Sequence, residues 1–192
     1  NVTLNYALTV TNGTLEIMPR KLVLQSASDS KVYDGTPLVR EEYQVSEGSL
    51  AEGQSEGVTF NASLTNVGSI KNEFAAVIYA SDGETDVTSN YDLSCLFGTL
   101  EVTKRPLSLK IGDDTKVYDG TALTNGEYEI TAGEVAPEQT LSVLATGSQT
   151  TVGQSENAAA VTVTDSAGED VTLNYSLTVT NGTLEVTPRK LV

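Results

Sequence analysis

The chain has 192 residues, with 26 Asp/Glu against 11 Lys/Arg, one Cys, and neither His nor Trp. A formal charge of −15 repels phosphate backbones and anionic lipid, so nucleic acid is excluded as an expected partner. Without His there is no Ser-His-Asp triad and no imidazole metal site, and acid-base work would fall to carboxylates, Lys or Tyr.

Residues 2–23, VTLNYALTVTNGTLEIMPRKLV, return as residues 171–192, VTLNYSLTVTNGTLEVTPRKLV, and differ only at Ala7/Ser176, Ile17/Val186 and Met18/Thr187. A third copy, VTSNYDLSCLFGTLEVTKRPLSL, occupies residues 87–109. KVYDGT at 31–36 recurs at 116–121, and TNVG at 65–68 recurs as TTVG at 150–153. The period is therefore 116 − 31 = 85 residues, the size of a small domain rather than of a solenoid unit. This predicts a closing hairpin of a preceding repeat at 1–20, complete repeats at 21–105 and 106–190, and the start of another at 191–192. Both repeats are acidic, and no run of about 18 apolar residues predicts a membrane helix, nor does a basic-then-apolar leader predict a signal peptide. The chain is expected to be a window from something longer.

Strands are predicted throughout, since Thr and Val abound and alternation is frequent. In residues 174–186, Tyr175, Leu177 and Val179, then Leu184 and Val186 beyond Asn181-Gly182, are written in period two and predict a hairpin. The same frame places Tyr6, Leu8, Val10, Leu15 and Ile17, and Tyr91, Leu93, Cys95, Leu100 and Val102, on inward columns, with Glu16, Glu101 and Glu185 facing water. Further strands are predicted at 107–111, 128–131, 140–145 and 158–163, about seven per repeat, with a short helical turn at 49–54 and 135–139. The fold expected is all-β, a tandem pair of immunoglobulin-like antiparallel β-sandwiches, with a β-grasp-like sheet as the alternative.

The ordered succession of KVYDGTPL/KVYDGTAL, GSQTTVGQSEN, SAGEDVTLNY and NGTLEVTPR resembles the YDG-type, MBG-related tandem repeats of large bacterial surface proteins and adhesins. The resemblance covers both complete repeats. It departs in the first, where Phe97-Gly98 replaces Asn-Gly and SIKNEFAAVIYA replaces a short acidic segment. It implies an extracellular stalk or adhesin segment and names no ligand.

Tyr33, Asp34 and Gly35, with Tyr118, Asp119 and Gly120, are the candidate motif residues. Asp-Gly is a turn pair, and the Tyr ring covers a core edge while its hydroxyl finds a carbonyl. The rival reading makes these positions repeated binding spots for a sugar or peptide. Glu41/Glu42 and Asp113/Asp114 are acid pairs without aligned adjacent counterparts, and read as solvated charge. Cys95 aligns with Val10 and Val179 and reads as a buried small hydrophobe. Two minor candidates are Ca²⁺ held by Asp113, Asp114 or Asp119, and an isopeptide joining Lys31 or Lys116 to an Asn such as Asn12 or Asn181, which is Phe97 in the middle copy.

The expected function is therefore a non-catalytic spacer without cofactor, its partners the neighbouring repeats of the same chain. The alternative is an adhesin module binding a host glycan or matrix protein, and the remote one a carbohydrate-active enzyme. An isolated hairpin at 1–20 would expose its apolar face, so it is expected to be completed by another molecule, giving a hairpin-mediated dimer; packing into the following repeat is the alternative.

Overall fold

A computed structural model describes residues 5–7 and 9–192. It is nearly all β. The first repeat supplies β1 (Arg20–Ser26), β2 (Asp29–Val32), β3 (Tyr43–Gly48), β4 (Ser55–Phe60), β5 (Gly68–Lys71), β6 (Phe74–Tyr79), β7 (Tyr91–Leu96) and β8 (Thr99–Thr103). The second supplies β9 (Arg105–Ile111), β10 (Asp114–Val117), β11 (Tyr128–Gly133), β12 (Thr140–Ala145), β13 (Gly153–Asn157), β14 (Ala159–Thr164), β15 (Tyr175–Thr180) and β16 (Gly182–Thr187). The strands predicted at 107–111, 128–131, 140–145 and 158–163 are found as β9, β11, β12 and β14, and each repeat has eight strands where about seven were expected. The predicted helical turns are tight turns, closed by Gln54 N–H donating to Ala51 O and by Gln139 N–H donating to Ala136 O.

Two compact units do not coincide with the repeat limits. The first takes the described residues up to Gln25, with Tyr43–Thr59 and Ala75–Leu96; the second takes Ser26–Glu42, Phe60–Phe74 and Phe97–Val192. The first unit holds sheets β3-β1-β7 and β4-β6. The second holds β2-β8-β5, β11-β9-β15, β12-β14 and β10-β16-β13.

The expectation of purely antiparallel pairing is corrected. β9 lies between antiparallel β11 and parallel β15, with Tyr175 opposite Arg105 and Thr180 opposite Lys110. β16 likewise lies between antiparallel β13 and parallel β10, with Leu184 opposite Asp114 and Thr187 opposite Val117. Both parallel pairs have one offset, 175 − 105 = 184 − 114 = 70, so a single register runs through both. The first repeat does the same at 91 − 20 = 100 − 29 = 71. A strand with neighbours on both edges has no free ladder, which suits the apolar runs Leu22–Leu24 and Leu107/Leu109/Ile111.

The hairpins are corrected with it. β15 and β16 do not pair with each other; each continues along a different partner, and Asn181-Gly182 is the step between two sheets. A Cβ on Gly182 would stand 2.2 Å from Gly112 O, and one on Gly98 would stand 2.5 Å from Ala27 O. Close backbone approach, not a left-handed turn, therefore requires these glycines.

Inward columns hold within the repeats: Leu100 and Leu184 are fully buried, and Val102, Val186, Tyr91 and Tyr175 are buried. They fail at the N-terminus, where Tyr6, Val10, Leu15 and Ile17 are exposed, Leu15 fully. No strand forms in the described residues before Arg20, so the predicted 1–20 hairpin is absent there. Leu8, in that column, lies outside the described residues.

One cluster differs between repeats as a set. Phe74 stacks between Phe60 and Phe97 with centroids 5.5 Å apart on either side. At the corresponding positions the second repeat has Ala145, Ala159 and Asn181. Asn181 Nδ2 donates to Glu156 Oε1 at 2.7 Å instead.

Candidate functional site

Each KVYDGT segment builds the same closed turn. Lys31 Nζ donates to Asp34 Oδ1 (2.7 Å), Thr36 O (2.6 Å) and Thr36 Oγ1 (2.8 Å). Asp34 Oδ1 also accepts Thr36 N–H (2.9 Å) and Thr36 Oγ1–H (2.8 Å). Lys116, Asp119 and Thr121 repeat these five bonds at 2.7–2.9 Å. Gly35 and Gly120 sit at φ of 82° and 86°, left-handed conformations that favour glycine. The Lys31 ammonium and the Thr36 donors hold the Asp34 carboxyl down at about 2, and Asp119 is lowered by the same contacts. Each lysine amine is thus engaged by three hydrogen bonds within its own turn.

The tyrosines diverge. Tyr33 is 2% exposed, whereas Tyr118 is 42% exposed. Tyr33 enters a core made by both repeats: Leu38, Leu100 and Val102 from the first, and Leu107, Ala136, Val163 and Tyr175 from the second. Its ring meets Tyr175 edge-on, and its hydroxyl accepts Gln139 Nε2–H at 2.8 Å. Tyr175 O–H donates to Gln139 Oε1 at 2.5 Å while accepting Ala136 N–H at 2.8 Å. Burial raises the Tyr175 pKa.

Two further contacts complete this joint. Arg105 Nη1 reaches Tyr33 O at 3.4 Å, while its Nε and Nη2 bind Glu134 O and Oε1, both at 2.8 Å. In the TNVG loop, Val67 N–H donates to Asn174 Oδ1 (2.9 Å), and Asn174 Nδ2 donates to Asn66 Oδ1 (3.0 Å). Asn174 is placed by a one-turn 3₁₀ helix, Thr172–Asn174, which SAGEDVTLNY encodes. Asp170 Oδ1 accepts Thr172 N–H at 2.9 Å, and Thr172 Oγ1 accepts Val163 N–H at 2.8 Å.

The buried Asn72 and Asn157, which sequence reasoning passed over, also recur 85 residues apart. Asn72 Nδ2 donates to Ala27 O and Arg40 O at 2.9 and 2.8 Å; Asn157 Nδ2 donates to Gly112 O and Asn125 O, both at 2.9 Å. Each amide ties a sheet crossover to the loop after the KVYDGT turn. The signal was available: NEF in the first repeat aligns with NAA in the second.

The other candidates do not converge. Asp113 takes Lys110 Nζ (3.0 Å) and Thr183 N–H (2.8 Å), Asp114 takes Thr115 N–H (2.7 Å), and Asp119 serves its own turn. Among the described residues no group of three or more His, Cys, Asp or Glu is placed to hold a metal ion. Glu42 pairs with Arg40 at 2.6 Å in an exposed position. Cys95 is half-buried, and burial raises its thiol pKa. No helix of the described residues is long and apolar enough to cross a membrane.

No protein-family model matches this chain, and no curated protein matches it either.

Proposed function

We propose that the chain is a pair of YDG-type, MBG-related repeats with an immunoglobulin-like sandwich organisation, and that it serves as a non-catalytic, load-bearing spacer in a bacterial surface protein. The observation that supports this reading is the parallel pairing of each repeat's first two strands with its last two, first with penultimate and second with last. In the second repeat, the chain enters at β9 and leaves at β16, and six residue pairs of β9/β15 and four of β10/β16 share one register. Tension applied through the two ends draws the paired strands past each other lengthwise. Their hydrogen bonds then bear the load together rather than one after another. The joint adds to this: only Lys104 separates β8 from β9, and the Tyr33 ring locks into the following repeat.

Single-molecule pulling tests the reading. The chain is tethered through Cys substituted at Arg105 and Thr187, which shears the pair, or at Arg105 and the exposed Ser176 opposite Pro106, which unzips it; Cys95→Val, the residue of the second repeat, removes the native thiol. Shearing is expected to require several-fold more force than unzipping at one loading rate. Equal forces would sink the load-bearing reading, and saturable binding on a glycan or matrix-protein array would replace it with an adhesin module.

A further inference from the structure

The joint within the second unit has two halves, and each half recurs in this chain at a second place. The inserting half is Tyr33 with the TNVG loop; its copy is Tyr118 with Thr151-Val152. The receiving half is Tyr175, Gln139, Ala136 and Asn174; its copy is Tyr91, Gln54, Ala51 and Asn90. Both copies keep the geometry of the originals. The Lys116–Asp119–Thr121 turn that presents Tyr118 matches the one presenting Tyr33 bond for bond. In the receiving copy, Tyr91 O–H donates to Gln54 Oε1 at 2.5 Å and accepts Ala51 N–H at 2.8 Å, as Tyr175 does with Gln139 and Ala136.

What differs is burial. Tyr118 is 42% exposed, and Val152, whose counterpart Val67 packs against the joint core, is 51% exposed. Asn174 is buried beneath the TNVG loop, whereas Asn90 is exposed; Ala136 is buried, whereas Ala51 is half-exposed. Two separate parts of the inserting surface and two of the receiving surface are thus uncovered, each with a covered counterpart elsewhere in the same chain.

We infer that a second copy of this chain is the partner for these surfaces: Tyr118 of one copy inserts beside Tyr91 of the next, and its hydroxyl takes the hydrogen bond from Gln54 Nε2. Val152 N–H of the first copy meets Asn90 Oδ1 of the second. The contact is heterologous, since one face meets a different face, so each copy carries both an inserting and a receiving face. A charge of −15 on each copy opposes association, and salt should strengthen it. This inference rests on the joint reading but fails separately from it, because Tyr33 and Tyr118 are tested by different measurements.

Sedimentation velocity on the full 192-residue chain provides the test, run from low micromolar to millimolar concentration at low and high salt. The expected result is concentration-dependent association, stronger at high salt. Tyr118→Ala is expected to weaken association by about tenfold or more. Gln54→Ala should weaken it from the other face, with circular dichroism confirming that both variants fold. An equimolar mixture of the two variants keeps one intact joint and should stop at dimers. Deleting residues 1–19 should leave association intact. A chain that stays monomeric at both salts overturns the inference, as do oligomers indifferent to Tyr118→Ala. Loss of association on deleting residues 1–19 also overturns it, in favour of strand addition by that segment.

Discussion

Tyr33 and Tyr175, 142 positions apart in the sequence, meet with ring centroids 5.7 Å apart and planes at 77°, and Gln139 bridges their hydroxyls. Edge-to-face packing of this kind is favourable beyond the area it buries, and the amide satisfies both hydroxyls inside the core. Tyr33→Ala is expected to cost about 3 kcal/mol or more, and Tyr33→Phe about 1 kcal/mol, through loss of one hydrogen bond. Tyr118→Ala in the monomer should stay within about 0.5 kcal/mol. Urea denaturation of the three variants checks the order.

The turn that carries Tyr33 is sensitive to acid. The Asp34 carboxyl is held at about 2 against an ordinary 3.8, chiefly by the Lys31 ammonium. Its folded pKa is thus the lower one, so its contribution is complete above about pH 4 and is lost as pH falls through about 2. Asp119 is lowered in the same direction. Carbon-detected NMR titration should find both carboxyls still ionised at pH 3. Asp34→Asn should flatten the dependence of the unfolding midpoint on pH between 4 and 2.

Gly182→Ala is expected to destabilise by about 2 kcal/mol or more, because its Cβ would face Gly112 O at 2.2 Å and Ile111 O at 2.7 Å, neither on a movable side chain. Gly126→Ala, with open space around its Cβ, should be nearly neutral. Thermal melts of the pair distinguish a crossover glycine from a hairpin glycine, which Ala would strain by conformation alone.

Asn157→Ala leaves Gly112 O and Asn125 O without their donor, at about 1–3 kcal/mol for each buried acceptor. Asn157→Asp should be worse than Ala, since it turns a carboxylate oxygen toward the same two carbonyls. Chemical denaturation of both variants would expose the opposite order if the amide were merely filling space.

Strand positions and their inward faces were legible because a period of two is local. Tyr175, Leu184 and Val186 announce themselves within a dozen residues. Pairing was not legible. Asn181-Gly182 carries the dipeptide of a two-residue hairpin, while the strands on either side of it pair in parallel with β9 and β10, 70 residues upstream, where no local pattern points to them. The middle copy held a warning: Phe97-Gly98 keeps the glycine that close approach demands and drops the Asn that a turn would favour. Leu15 shows the limit most plainly. It lies in a stretch nearly identical to that of Leu184, yet one is fully exposed and the other fully buried, because burial depends on strands that the stretch does not contain. In the candidate site, the motif residues were legible from recurrence, but Tyr33 and Tyr118 share a sequence and not a surrounding.

The parallel pairing of each repeat's first two strands with its last two also sets an order in time. β9 stands at the centre of its sheet, yet the partner on one of its edges, β15, leaves the ribosome only after some 60 further residues. Until Tyr175 arrives, neither the sheet nor the core around Tyr33 can close. Contacts so distant in sequence slow folding, since loop closure precedes any gain from the pairing. Of the second repeat, only the β9·β11 and β12·β14 pairs can form before β15 is made, and the sheet around β9 closes within about the last dozen residues.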